Sequence, residues 1–254
     1  MSEHIVSEFA EGVLTLRFNR ADKKNALTTA MYSAAAEVLR GASSNDAVRV
    51  VVITGSGDSF SSGNDVKDFI ANPLSIESPA IQFMYALLDC PKPVIAAVNG
   101  MAIGIGTTLL LHCDFAIAVP EARFQLPFVN LALVPEFASS LLLPRFLGPR
   151  KATELLMLAG PFSAEAAAEF GLINAVVPAD QLAITVAAGA AALASKPPAA
   201  VRATKALLCA NRDEIKACIA AEVAVLTERL KSAELREAVQ AFLEKRAPDF
   251  SKFA

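Results

Sequence analysis

Histidine and paired cysteines are scarce in this sequence, and their scarcity argues against several kinds of active site. The only histidines are His4, near the N-terminus, and His112, inside an apolar run. A histidine-based triad or a zinc site is therefore not expected, and His112 is predicted to be a core residue with satisfied hydrogen bonds. The four cysteines show no C-x-x-C spacing, as is typical of reduced thiols in a cytoplasmic protein. We therefore predict a cytoplasmic protein without a bound metal.

An excess of positive charge is also lacking. The formal net charge is −3 at pH 7, which provides no basic field for nucleic acid. The N-terminal segment has no cationic stretch followed by an apolar run, so no signal peptide is predicted. Asn99, Asp114 and several glycines interrupt the long apolar stretch 91–119, which argues against a membrane span. We expect neither nucleic acid nor a membrane among the partners.

The sequence is instead rich in apolar residues arranged as alternating strands and helices. With 254 residues and 54% apolar content, it can bury one large core, and its high mean hydropathy indicates apolar surface between subunits. The alternation predicts an α/β fold. Among the helices, one is expected over 28–40, with Thr28 as N-cap and Gly41 ending it. Strands stop before residue 196, so we divide the chain into a core, 1–195, and a helical region, 196–254.

The segment around residues 94–112 combines a strand with a glycine-rich turn. An apolar strand at 94–98 is followed by Gly104-Ile105-Gly106 and by a helix predicted from Thr107. The first N–H groups of a helix lack intrahelical partners, so such a turn can stabilise an anion or a developing oxyanion. A buried strand–turn–helix without chemistry is the alternative. Leu109 stands where a dinucleotide-binding G-x-G-x-x-G motif has its third glycine.

Four segments together resemble one family. Residues 60–69 follow the pattern F-x-x-G-x-D-x-x-x-F, and residues 99–106 read N-G-M-A-I-G-I-G. The segments 24–27, K-N-A-L, and 198–205, P-A-A-V-R-A-T-K, stand before and after them. In this order they resemble the landmarks of the crotonase (enoyl-CoA hydratase/isomerase) superfamily. The resemblance covers essentially the whole chain.

The resemblance implies a fold and a way of binding the substrate. The family fold is a spiral of ββα units with an all-helical C-terminal trimerisation region, so a homotrimer or a dimer of trimers is expected. Two backbone N–H groups bind the acyl-CoA thioester oxygen, and by position these belong to Asn64 and Ile105. The family commonly has glycine at position 105, and the isoleucine side chain is expected to narrow the acyl pocket. As an alternative, Gly63 and Asn64 form only a tight turn.

Family position also implies residues that contact coenzyme A and the acyl chain. The candidates for coenzyme A binding are Lys23, Lys24, Ala26, Ser62, Gly63, Asp65 and Lys67. Each lysine is equally explained as a solvated surface residue. The candidates for the acyl pocket are Phe69, Phe83, Met84, Thr108 and Phe128. For these, core packing is the alternative. No cofactor is expected, because coenzyme A is part of the substrate.

The choice of reaction depends on the acidic residues. Hydratases of this family carry two glutamates at the positions of Thr108 and Phe128, and neither residue can replace a carboxylate in activating water. Glu136, in the segment P-E-F-A-S-S, instead resembles the catalytic glutamate in the P-E-x-x-S-S segment of Δ3,Δ2-enoyl-CoA isomerases. We expect Glu136 in the first turn of a helix, where an acidic residue also simply stabilises a helix start.

The sequence therefore predicts an enzyme that shifts the double bond of 3-enoyl-CoA to give 2-trans-enoyl-CoA, in fatty-acid or related acyl-CoA degradation. One carboxylate can remove a proton from C2 and return one at C4, which suits a site with a single acid. Hydration, thioester hydrolysis and ring isomerisation on acyl-CoA are alternatives within the family. A non-catalytic acyl-CoA binder is the alternative outside enzymes.

Overall fold

The fold was analysed in a computed structural model that describes residues 3–72, 74–244 and 246–253. In these described residues, ten strands form two sheets: β1 Ile5–Ala10, β2 Val13–Phe18, β3 Val50–Gly55, β4 Ser59–Ser61, β5 Val94–Val98, β6 Met101–Ile103, β7 Phe115–Ala118, β8 Arg123–Gln125, β9 Phe162–Ser163 and β10 Ala175–Val176. The larger sheet has the order β1-β2-β3-β5-β7-β10, and the smaller has the order β4-β6-β8-β9. The β1–β2 and β8–β9 pairs are antiparallel, and all other pairs are parallel.

The helices follow pairs of strands along the chain. They are α1 Thr29–Ser44, α2 Val66–Ala71, α3 Pro79–Leu88, α4 Ile105–Thr108, α5 Ser139–Leu147, α6 Pro149–Thr153, α7 Ala164–Glu169, α8 Ala179–Ala194, α9 Pro198–Leu208, α10 Arg212–Arg229 and α11 Ala233–Glu244. Single 3₁₀ turns cover Ala21–Lys23, Leu109–His112 and Val129–Leu131, and a π-helical turn covers Glu154–Leu158. Each of β3, β5 and β7 is followed directly by a strand of the smaller sheet and then by a helix. This repeat is the predicted spiral of ββα units.

The centre of the larger sheet is buried on both faces. Every residue of β3 and β5 is buried, and both strands are continuous apolar runs of the kind that parallel sheets require. The helices α1 and α3 pack against each other, and α8 packs on β3 and β5. The sheet therefore gives rigid support to the loops that leave the carboxyl ends of its strands.

Helix α1 begins as predicted but ends later. The Thr28 side chain accepts a hydrogen bond from Met31 N at 3.3 Å, as an N-cap does. The predicted end at Gly41 is wrong, because the helix continues to Ser44 and buries Ala42 in the core. Gly41 does not have a positive φ, so its backbone stays helical. The burial of the Ala42 side chain favours the longer helix in spite of the weak helix propensity of glycine.

The region after residue 196 contains helices and no strand among the described residues. It is attached to the sheet through a partly buried ion pair, in which Lys205 Nζ lies 2.6 Å from Asp114 Oδ2. The same Asp114 oxygen accepts from Val94 N at 2.7 Å, at the start of β5. These contacts connect α9 directly to the core. The division of the chain at residue 196 stays a prediction.

Candidate active site

The first loop of the site follows β4 and exposes the backbone of Asn64. Leu27 N donates to Gly63 O and Asp65 N donates to Leu27 O, both at 2.8 Å. These two bonds form a parallel bridge between Leu27 and Asn64. In such a bridge the N–H of Asn64 itself points away from Leu27. It has no acceptor among the described residues.

The second loop follows β6 and exposes the backbone of Ile105. Gly104 N donates to Gln125 O at 2.9 Å, which continues the pairing of β6 with β8. Gly104 has a φ of 56°, and the next residue, Ile105, is the first of α4. The N–H of Ile105 therefore lacks an intrahelical partner, and no other described residue accepts from it.

Two glycines allow these loops to lie against each other. A Cβ at Gly106 would lie 2.7 Å from Ser61 O, and one at Gly63 would lie 2.9 Å from Ile103 O. Both distances are shorter than atoms in contact permit, so any side chain there would push the loops apart. Gly63 also has a φ of 93°, which favours glycine. The glycines thus place the free amides of Asn64 and Ile105 on adjacent loops.

Asn64 and Ile105 both line a cavity of about 120 Å³. Its other walls are mostly apolar and come from the two loops themselves, α2, the 127–133 segment and α11: Ser62, Gly63, Val66, Phe69, Ile70, Ile103, Gly104, Pro127, Phe128, Leu131, Leu133, Leu235 and Val239. Of the predicted acyl-pocket residues, Phe69 and Phe128 are in this wall. Phe83 and Met84 are buried in the core and line neither this cavity nor the second one described below.

Glu136 lies before a helix and not in its first turn, so that prediction is wrong. Helix α5 begins at Ser139, and both Phe137 and Ala138 adopt the left-handed conformation, with φ of 57° and 56°. The turn directs the Phe137 ring into the core, where it stacks on His112 with the ring centroids 3.7 Å apart. Burial of this aromatic ring favours the reversed backbone over an earlier helix start.

The carboxylate of Glu136 is buried and only half satisfied. Thr108 Oγ1 donates to Glu136 Oε1 at 2.5 Å, while Oε2 is buried without a hydrogen-bond partner among the described residues. Burial raises the pKa of Glu136 to about 8, the hydrogen bond from Thr108 lowers it, and the charge of Glu222 raises it. A carboxyl group in this state can accept and hold a proton near neutral pH.

Thr108 links Glu136 to the helix that begins at Ile105. It lies three residues after Ile105 on α4, which is about 4.5 Å along the helix axis. The residue that holds the Glu136 carboxylate is therefore about one helical turn after Ile105. Neither Thr108 nor Glu136 is among the residues that line the cavity.

Tyr32 is a polar residue of this region that the sequence analysis missed. Its hydroxyl donates to Asn64 Oδ1 at 2.5 Å, and its ring packs against Phe83 with the centroids 5.5 Å apart. Burial raises the pKa of Tyr32 well above its usual value, as do the charges of Glu136 and Asp68. No local pattern marks this tyrosine, because its contacts come from residues distant in the sequence.

A second cavity, of about 210 Å³, lies on the other side of Asn64. Asn64 and Phe69 line both cavities. The wall of the second one contains more polar side chains, and its members are Leu27, Thr29, Tyr32, Asn64, Asp68, Phe69, Asn72, Leu74, Ser75, Glu77, Ser78, Pro79 and Ala80. The first loop thus separates an apolar space from a more polar one.

The predicted coenzyme A residues lie around the first loop. Lys23, Lys24 and Lys67 are exposed, and Lys24 Nζ pairs with Asp58 at 2.8 Å. Ser62 N donates to Lys24 O at 2.9 Å, which holds the lysine segment against the loop. The structure thus places these lysines beside the loop that exposes Asn64, and their role stays a prediction.

Two other predicted coenzyme A residues have structural partners. Asp65 is the N-cap of α2 and pairs with Arg20, whose Nη1 lies 2.8 Å from Asp65 Oδ2. The Arg20 guanidinium also donates to Ala26 O at 3.1 Å and holds the pKa of Asp65 below its usual range. These contacts tie the 20–26 segment to the first loop.

His112 has the role of a satisfied core residue. Its Nε2 donates to Phe137 O at 2.8 Å, and burial lowers its pKa to about 4. In the described part of the chain, no three His, Cys, Asp or Glu residues group as metal ligands would. No single described helix is long and apolar enough to cross a membrane. The helices α8 and α9 have the length and composition together, but the chain bends by 106° between them.

Comparison with known proteins places this geometry in one family. The model of the enoyl-CoA hydratase/isomerase family matches residues 8–252. The chain is 35% identical to 1,2-epoxyphenylacetyl-CoA isomerase of Escherichia coli K12, with 99% of each chain covered. It is 36% identical to human enoyl-CoA delta isomerase 2 over 96% of this chain and 64% of that one. Further relatives carry hydratase names.

A solved structure shows the same fold. The crystal structure of an enoyl-CoA hydratase/isomerase from Pseudoalteromonas atlantica T6c superposes with a TM-score of 0.94 at 40% identity. The superposition covers 98% of this chain and 100% of that one. The similarity therefore extends over the whole spiral and the C-terminal helices.

Proposed function

Since the chain belongs to the enoyl-CoA hydratase/isomerase family and is an acyl-CoA enzyme, we propose that it converts 3-enoyl-CoA to 2-trans-enoyl-CoA. The observation that supports this reaction most directly is the buried carboxylate of Glu136, which is hydrogen-bonded to Thr108, three residues after the free amide of Ile105. Thr108 and Phe128 occupy the two positions where hydratases have glutamates. A site with one acid favours proton shuttling over the activation of water.

The proposed reaction begins with the removal of a proton from C2. Glu136 takes this proton on Oε2, the carboxylate oxygen that has no hydrogen-bond partner among the described residues. The electrons move into the thioester carbonyl and form an enolate, whose oxygen accepts hydrogen bonds from the amides of Asn64 and Ile105. Each preorganised donor of this kind is worth about 3–4 kcal/mol.

The second step returns the proton at C4. The enolate electrons re-form the carbonyl, the double bond moves from C3–C4 to C2–C3, and Glu136 becomes a carboxylate again. A carboxyl group with a pKa of about 8 suits both steps, because it takes and releases a proton near neutral pH. No other co-reactant is needed, and coenzyme A enters and leaves as part of the substrate.

Replacing Glu136 tests this proposal. Glu136→Gln keeps the shape of the side chain and removes the base, so kcat on 3-hexenoyl-CoA should fall by about 10²–10⁴-fold. KM should change little, since the amides of Asn64 and Ile105 remain. The exposed residue Glu121 offers a matched control, Glu121→Gln, that should keep parental activity.

Crotonyl-CoA is assayed in parallel to test hydration. We expect isomerisation of 3-hexenoyl-CoA to exceed hydration of crotonyl-CoA in the parental enzyme. Parental isomerisation by Glu136→Gln would remove Glu136 as the base. Hydration without isomerisation would favour the hydratase alternative.

We also propose that the C-terminal helices bury apolar surface between subunits of a homotrimer or a dimer of trimers. Leu207 and Leu208, at the end of α9, are 79% and 80% exposed in the single chain, and Leu243 on α11 is 63% exposed. Removing such surface from water is worth about 25 cal/mol per Å². A stable monomer in light scattering at micromolar concentration would contradict this assembly.

A further inference from the structure

A second buried carboxylate, that of Glu222 on α10, contacts the turn that follows Glu136. Its Oε2 accepts from Ala138 N at 2.6 Å, and its Oε1 accepts from Ser140 N at 3.1 Å and from Ser140 Oγ at 2.5 Å. Glu222 is only 8% exposed. Three donors from one short segment thus converge on a carboxylate from a distant helix.

We propose that Glu222 is a positioning residue for Glu136, because it holds the backbone turn from which the Glu136 carboxylate is presented to Thr108. The inference rests on the proposed role of Glu136 as the base. It assigns to the C-terminal helical region a part in the reaction besides any part in assembly.

The turn needs an external support. Phe137 and Ala138 are consecutive non-glycine residues in the left-handed region, a conformation that is unfavourable for residues with a Cβ. Such a conformation persists only where the surroundings enforce it. Ala138, one of the two left-handed residues, donates its backbone N–H to Glu222. Ser140, in the first turn of α5, donates to the same carboxylate and so holds the start of that helix.

The two carboxylates are also coupled electrostatically. Burial is the main reason that the pKa of Glu136 is raised, and the charge of Glu222 raises it further. Burial also raises the pKa of Glu222 itself. Removing the charge of Glu222 should therefore change the protonation of Glu136 as well as the support of the turn.

Other groups also face the two carboxylates. Thr108 on α4 donates to Glu136, and Tyr32 on α1 lies close enough for Glu136 to raise its pKa. Cys218, on α10, lies beside Glu222, with Sγ 3.5 Å from Ser140 Oγ. His112 contacts the turn through Phe137 O. The charge that raises the pKa of Glu136 is that of Glu222 and not of any of these other groups.

The test replaces Glu222 by glutamine in the full chain. Glu222→Gln should lower kcat on 3-hexenoyl-CoA by about tenfold or more, since small misplacements of a catalytic group are costly. KM should stay within about threefold, because the amides of Asn64 and Ile105 are not touched. The acidic limb of the pH profile should move to lower pH, since a negative charge next to Glu136 is lost. Glu228→Gln changes an exposed residue on the same helix and should leave kcat, KM and the pH profile as in the parental enzyme.

Infrared titration of the substrate-free protein separates this inference from the proposed function. The protonated carboxyl band of Glu136 is assigned as the band absent from Glu136→Gln. Its midpoint should fall in Glu222→Gln, whether or not the parental enzyme isomerises 3-hexenoyl-CoA. If the parental chain is inactive on that substrate but the midpoint shifts, the proposed function fails and the coupling to Glu222 stands.

A milder variant covers the case in which Glu222→Gln does not fold. Ser140→Ala removes only the hydroxyl donor to Glu222 and should lower kcat by about two- to fivefold. A Glu222→Gln enzyme with a lower melting temperature but a parental kcat and an unmoved Glu136 midpoint would overturn the inference. Glu222 would then be a cap for α5 alone. If only Ser140→Ala folds, a parental kcat in that variant overturns it equally.

Discussion

Thr108 Oγ1 lies 2.5 Å from Glu136 Oε1, and this hydrogen bond joins a residue that the family resemblance aligns with a hydratase glutamate to the residue that we propose as the base. The hydroxyl fixes one carboxylate oxygen, and the other has no hydrogen-bond partner among the described residues. In place of a second acid, the site therefore has a donor that orients the first one. This arrangement supports proton transfer by one group.

Replacing Thr108 should change the pH dependence more than the maximal rate. Thr108→Val keeps the shape and removes the donor that lowers the pKa of Glu136, so that pKa should rise. The maximal kcat should stay within about tenfold, a change of about 1.4 kcal/mol. Thr107→Val removes the neighbouring hydroxyl, which bonds Ala102 O and not Glu136, and should leave the profile unmoved. A rate below about one-hundredth of the parental value at every pH would mean that Thr108 itself transfers protons.

Activity should rise with pH through the pKa of Glu136. Only the carboxylate form accepts a proton, and the pKa of Glu136 is raised to about 8 by burial. Below that pH, kcat/KM should fall about tenfold per pH unit. Initial rates with 3-hexenoyl-CoA from pH 6 to 9.5 measure this limb. A rate independent of pH across the range would exclude Glu136 as the base in the free enzyme.

The stability of the protein should depend on the same group. Burial raises the pKa of Glu136 from 4.5 to about 8, so the folded state favours the protonated form. The resulting stability is full below about 4.5 and is lost as the pH rises through about 8. Glu136→Gln removes this loss and should be more stable than the parental protein at pH 8.5, by up to a few kcal/mol at ~1.4 kcal/mol per pKa unit. At pH 4.5 the two should unfold at the same urea concentration. If the parental protein and Glu136→Gln had equal urea midpoints at both pH 8.5 and pH 4.5, the carboxyl group of Glu136 would not be desolvated in the folded state.

Tyr32 should contribute to catalysis through its hydroxyl. Tyr32→Phe keeps the packing against Phe83 and removes the hydrogen bond to Asn64 Oδ1. We expect kcat/KM to fall about three- to tenfold, since a net hydrogen bond is worth about 0.5–1.5 kcal/mol. Tyr85→Phe, at the other tyrosine of the chain, is the matched control and should have parental kinetics. Identical kinetics in the two variants would show that the first loop keeps its geometry without Tyr32.

Coenzyme A should bind through local cations, since the chain has a net charge of −3. Replacing Lys23, Lys24 and Lys67 together with alanine should weaken binding of free coenzyme A and flatten its salt dependence. Replacing Lys196, Lys231 and Lys252 removes the same charge elsewhere and should have little effect. Calorimetry at low and at moderate ionic strength measures both triple variants. If the variant that lacks Lys23, Lys24 and Lys67 bound coenzyme A with parental affinity at low salt, the phosphates of coenzyme A would bind elsewhere on the protein.

The sequence by itself determined the features that depend on local patterns. Apolar runs identified the buried strands β3 and β5, and the glycines at 63 and 106 marked the two loops that come close together. Backbone amides need no particular side chain, so the family resemblance could assign Asn64 and Ile105 by their positions in the two loops. Glu136 was proposed through the resemblance of its P-E-F-A-S-S segment to that of Δ3,Δ2-enoyl-CoA isomerases, and its role stays a prediction.

Only the tertiary structure decided how Glu136 is held. A helix start at Glu136 is locally reasonable, and burial of Phe137 against His112 overrides it with two left-handed residues. Its partners Thr108 and Glu222 lie on α4 and α10, far from it in the sequence. The strength of a base depends on desolvation and on charges brought close by packing, and neither has a local sequence signature. For this reason the sequence could only propose Glu136 as the acid, whereas the fold determines its burial, its hydrogen bond to Thr108 and its orientation.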